Sequence, residues 1–118
     1  MTRRLLLGDR SDRAWGVIGA INFDGHGAVP LIHDYYNVTS ITDNAAGDFT
    51  ITWDQDFVAA SSYCVAGSCG GSAALGIGFV ALHNTSTPMT AQSARIKVTD
   101  FNGGDLDALV TLFAVGKL

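Results

Sequence analysis

The sequence predicts an all-β fold, a β-sandwich or jelly-roll-like domain of seven or eight antiparallel strands. Three observations carry that expectation. All eleven acidic residues are Asp and none is Glu, beside fourteen glycines. Glu suits helix interiors, whereas Asp and Gly suit caps and turns. No long window repeats its apolar residues at the helical period. Short apolar or alternating runs instead recur at roughly 8–14-residue spacing, separated by turn residues.

Taken in order, residues 14–23 (AWGVIGAINF) form the first strand-like run. Asp24-Gly-His-Gly27 is a turn, because glycine reaches positive φ without steric cost. Residues 28–33 give a second strand, and Pro30 within it marks an edge strand or a bulge. Residues 35–42 (YYNVTSIT) are β-branched and aromatic and read as a third, followed by a turn over 43–47. Residues 48–53 (DFTITW) alternate most cleanly: Phe49, Ile51 and Trp53 share one face, Thr50 and Thr52 the other. A turn at Asp54-Gln-Asp56 leads to a strand over 62–67, closed by Ser-Cys-Gly-Gly. In the next strand, 75–82 (LGIGFVAL), Gly76 and Gly78 leave one face bare for close approach, opposite Leu75, Ile77 and Phe79. A polar loop over 83–90, an alternating strand over 93–99, a turn over 100–107 and a last strand over 109–115 complete the chain. Residues 1–12 read as a basic N-terminal arm and 13–118 as a single domain, since a chain of 118 residues suffices for one ordinary domain and not two.

Composition narrows the function. Apolar residues make up 47% and charged residues 15%, well under the roughly 25% charge of an average domain. Such a surface suits burial against other subunits. A net charge of −4 disfavours nucleic acid, which needs a basic face. Four of the seven bases, Arg3, Arg4, Arg10 and Arg13, fall in the first thirteen residues. They make the arm a candidate docking element for an acidic neighbour, set against the plainer reading of a solvated terminus. Leu5-Leu-Leu7 is too short for a signal-peptide core, and no run is long enough for a membrane helix. The expectation is a chain without membrane insertion or export by a cleaved signal.

Chemical motifs are sparse. His26, His33 and His83 lack ligand spacing and read as turn or surface residues. No serine sits in G-x-S-x-G, and Asp24-Gly-His-Gly lacks the lysine and helix of a phosphate loop. No catalysis, metal or cofactor is expected. Cys64 and Cys69 read as free thiols, with a small-loop disulfide or a metal pair as alternatives. Asp54 and Asp56 read as a solvated turn rather than paired catalytic carboxylates. Asp100-Phe-Asn-Gly-Gly-Asp-Leu-Asp107 alternates oxygen donors as a calcium loop does, yet the same residues make hairpin turns. Trp15 and Trp53 lie in apolar strands and are expected in the core. Tyr35 and Tyr36, with His83 and Asn84 of the polar loop, are the candidate binding residues, since aromatic rings stack on sugars.

The motif order carries a resemblance. Arg13-Ala-Trp15, Ile21-Asn-Phe-Asp-Gly25, a Gly-x-Val run, Tyr36-Asn-Val-Thr-Ser-Ile-Thr-Asp-Asn44 and Gly47-Asp-Phe-Thr-Ile-Thr-Trp53 follow in sequence. This resembles a domain of bacteriophage tail-fibre and related virion proteins, with a RAWVNFNG opening, FNVSSITDNGTGDYTVNF and an NYAV segment. Ser61-Ser-Tyr63-Cys-Val65 and the closing run 109–115 fit the later elements. The resemblance covers most of 13–115 and is strongest over 36–53. It implies a β-rich, homotrimeric virion domain at a fibre tip or particle surface, assembled in the host cytoplasm and in contact with capsid or tail proteins. It implies no catalytic residue. The chain departs in its extended opening (Gly16, Ile18, Gly19), its two cysteines and the dozen residues before the domain, where a fibre has a long shaft. A short capsid decoration protein or fibre-tip subunit fits that departure, with a receptor- or carbohydrate-binding module as the alternative.

Overall fold

A computed structural model describes residues 15–70 and 78–117. Eight strands fill these residues: β1 (Gly16–Asp24), β2 (Leu31–Tyr36), β3 (Val38–Ala45), β4 (Asp48–Trp53), β5 (Tyr63–Cys69), β6 (Gly78–Leu82), β7 (Ser93–Asp100) and β8 (Leu109–Gly116). They build two four-stranded antiparallel sheets, ordered β2-β1-β8-β5 and β3-β4-β7-β6. The predicted sandwich is what the chain adopts.

The core lies between the sheets because each central strand turns alternate residues inward. Ile21 and Phe23 of β1 and Val110, Leu112 and Ala114 of β8 meet Phe49, Ile51 and Trp53 of β4 and Ala94, Ile96 and Val98 of β7. Phe23 and Phe49 cross the interface edge to face at 5.1 Å, a preferred aromatic geometry. At one end Trp53, Phe57 and Tyr63 cluster, with Phe57 stacked on Tyr63 at 4.0 Å. The Tyr63 hydroxyl accepts from Trp53 Nε1 at 3.2 Å and lies 2.7 Å from the carbonyls of both Thr90 and Ser93. This buried polar group is thereby satisfied.

Several boundaries differ from the expectation. The run read as one strand over 35–42 is broken at Asn37, whose φ of 57° turns the chain from one sheet into the other. Asn37 holds that crossing with its own side chain, accepting from the Gln55 amide at 2.6 Å and donating to the Gln55 carbonyl. Asn tolerates the left-handed region because its short amide bonds locally. The second strand begins at Leu31, just past Pro30, and it is an edge strand with a register shift opposite Asn22 and Phe23. The turn expected over 43–47 shrinks to Ala46-Gly47, since the ladder runs on through Ala45. Gly47 has φ +65°, and a Cβ there would lie 2.4 Å from the Val98 carbonyl oxygen. The fifth strand runs on through Ser68 and Cys69, which sequence assigned to a turn.

Trp15 is not a core residue: it precedes β1 and is 48% exposed. Its neighbour Gly16 is the first residue of β1, paired with Gly116, so Trp15 lies just outside the sheet despite the apolar run that follows it. In the strand expected over 75–82, residues 75–77 lie outside the described residues. Gly78 is approached from within the chain, as a Cβ there would meet Cys69 Sγ at 2.7 Å.

Candidate interaction face

The outer surface of the β2-β1-β8-β5 sheet is built from paired rows, because residues opposed across an antiparallel ladder share a face. One row is Tyr36, Ala20, Phe113 and Ala66. The next is Asp34, Asn22, Thr111 and Ser68, with Asn22 Nδ2 donating to Thr111 Oγ1 at 2.9 Å. Beyond it Leu31, Asp24 and Leu109 align, and at the opposite end Val17, Val115 and Cys64 do. Only Asp24 and Asp34 in these rows carry charge.

Ala20 sits in the strand between Tyr36 and Phe113. The two rings stand two strand spacings apart, about 10 Å. The small Ala20 side chain between them leaves an open groove of about 280 Å³, rimmed by Asp34 and Thr111. Tyr36 is 56% and Phe113 41% exposed. Large apolar side chains so exposed and so contiguous mark interaction surfaces.

The sequence-predicted binding residues divide here. Tyr35 and Tyr36 both border the groove, on an edge strand whose residues are mostly exposed. His83 and Asn84 lie elsewhere. Asn84 is exposed, whereas His83 is half-buried against the other sheet, with Nε2 3.4 Å from Asp48 Oδ2 and a buried Nδ1 that has no hydrogen-bond partner. Of the other histidines, His26 sits exposed in its turn beside Asp24, and His33 is exposed on β2. Arg3, Arg4, Arg10 and Arg13 lie outside the described residues.

Asp48 is the polar residue that sequence reasoning missed. It is only 5% exposed. Arg95 grips it with Nε on Oδ1 at 2.9 Å and Nη2 on Oδ2 at 2.7 Å, and Asn44 donates to Oδ1 at 3.2 Å. The Arg95 guanidinium is the main cause that lowers its carboxyl to about 2, against the opposing effect of burial. The Gly-Asp hairpin of the sequence hid this role, because Asp after Gly reads as turn chemistry alone.

The cysteines are free thiols. They sit five residues apart on β5, an odd separation that points them to opposite faces about 17 Å apart, far beyond disulfide reach. In the 100–107 segment the carboxylates diverge. Asp100 accepts from the Asn102 and Gly104 amides, Asp105 pairs with Lys97 at 2.9 Å, and Asp107 accepts from Gly47 N–H. This is hairpin bonding, and among the described residues no three His, Cys, Asp or Glu side chains converge as a metal group would need. Asp54 and Asp56 are exposed, as a solvated turn requires.

A scan against protein-family models gives no match, and searches of the curated proteins and of the solved structures find none either.

Proposed function

We propose that this chain is a structural, self-associating β-domain, a homotrimeric surface component of a virus particle's capsid or tail fibre without catalytic activity. The observation that carries self-association is the outer β2-β1-β8-β5 surface. Tyr36, Phe113, Leu31, Leu109 and Val17 are all exposed there, on a face with two charged residues. Leaving such a surface wet forgoes roughly 25 cal/mol per Å² of apolar area that a neighbour would cover. The virion setting is supported by the sequence resemblance over residues 13–115. Light scattering on the purified protein tests the assembly: a trimer is expected, and a monomer at every concentration would overturn it. Co-sedimentation with phage particles tests the setting.

The groove favours a second reading, a carbohydrate-binding module. Tyr36 and Phe113 offer faces for the C–H side of a sugar ring, and Asp34, Asn22 and Thr111 offer hydroxyl partners in the next row. A glycan array with no bound sugar removes this reading and leaves the first intact.

A further inference from the structure

We infer that the groove between Tyr36 and Phe113 holds the N-terminal arm of a neighbouring copy, with Leu5-Leu-Leu7 over Ala20 and the arm's arginines at Asp34 and Asp24. This rests on the homo-oligomer reading and names the contact that would make the oligomer.

Charge selects this occupant over a second copy docked face to face. A second copy docked face to face offers no base to Asp24 and Asp34, since the outward rows of this sheet hold no Lys or Arg. Asp34 and Asp24 lie on the same side of the Tyr36–Phe113 row, so the face needs a partner that is apolar over the groove and positive toward that end. Among the bases of the described residues, Arg95 is held by Asp48 and Lys97 by Asp105, and Lys117 is a single charge just past the end of β8. The first thirteen residues have the required pattern: Arg3-Arg4, then three leucines, then Arg10 and Arg13, four bases against Asp9 and Asp12.

Length permits the exchange. From Leu7 to Trp15 is eight residues, a reach of at most about 28 Å. The sheet is only 6–9 residues long along its strands, so an arm leaving β1 can cross to an adjacent subunit. Among the described residues the buried apolar core lies between Ile21 and Ala114.

The test compares the mass in solution of the full chain and of a chain lacking residues 1–12. An oligomer that falls to monomer on truncation is the expected result. An oligomer that survives truncation overturns arm exchange and leaves self-association standing. Two monomers overturn both. A labelled peptide of residues 1–13 titrated onto the truncated chain then places the contact. Binding is expected to weaken with salt and to fall about tenfold or more in Phe113→Ser and in Asp34→Lys. Unchanged binding in both variants would overturn the groove as the site, and circular dichroism shows that each variant is folded.

Discussion

The two outer faces of the sandwich are made from the same kind of ladder and differ in almost every side chain. On β3-β4-β7-β6 the outward rows are Ser40, Thr52 and Ser93, then Thr42, Thr50 and Arg95, then Asp48, Lys97 and Ala81. Hydroxyls and paired charges fill that face, with Phe79 as its one large exposed ring. On β2-β1-β8-β5 the outward rows are mostly Tyr, Ala, Phe, Val, Leu and Cys, broken by Asp24 and by the one polar row of Asp34, Asn22, Thr111 and Ser68. The shared core cannot explain this contrast, because both sheets bury the same sort of aliphatic and aromatic residues inward. What differs is how each outer face meets its surroundings. One presents hydroxyls and locks its own charges; the other leaves Tyr36, Phe113, Leu31, Leu109 and Val17 exposed.

Breaking the shared core has the largest effect. Phe49→Ala removes the ring that meets Phe23 across the sheets and is expected to destabilise by about 3–5 kcal/mol, measured by urea unfolding. Both faces should be lost together; separate unfolding of the two sheets would contradict a single core.

The polar face is sharpened by Asp48→Asn. Asp48 is charge-paired in the fold, so its pKa is depressed, and its stabilisation is present above the ordinary value of 3.8 and lost as pH falls through about 2. The variant is expected to lose about 1–2 kcal/mol at pH 7, a figure discounted for the partial exposure of Arg95. It should also show a flatter stability profile between pH 4 and about 2. An unchanged acid profile would deny Asp48 this role.

Much of this contrast was legible in the sequence, and some was not. The alternation of residues 48–53 assigned Phe49, Ile51 and Trp53 to the interior correctly, because a half-buried strand writes its two faces into alternate positions. The same logic failed at Trp15 and at Asn37. Trp15 is apolar yet lies past the last residues that the sheets cover. Asn37 breaks a continuous β-branched run through a left-handed backbone angle, and the Asn that permits it is one weak signal among four strand-forming neighbours. Tyr35 and Tyr36 could be picked as exposed, but their groove depends on Ala20 and Phe113, which only the β2-β1-β8 register brings alongside. His83 pairs with Asp48 across 35 positions of sequence, a contact that no local pattern encodes.

Smaller effects refine the picture. Thr42→Val on the polar face should change stability by less than about 0.5 kcal/mol and leave the oligomeric mass unchanged; a fall in mass would move the assembly contact to that face. The thiols should differ in rate. Cys64 is exposed on the apolar face, while Cys69 is half-buried and its pKa is raised by that burial. A thiol reagent is expected to label Cys64 first in the dissociated protein, and slower labelling of Cys64 in the assembled form would place its face inside the contact.

The most direct test of the account is the mass in solution of three proteins: the unaltered chain, a Tyr36→Lys/Phe113→Lys variant, and a Thr42→Lys/Thr52→Lys variant. The account predicts an oligomer, a folded monomer and an oligomer, in that order. An unaltered chain that is monomeric, or an oligomer that survives lysines at Tyr36 and Phe113, would contradict the assignment of the β2-β1-β8-β5 surface as the assembly face.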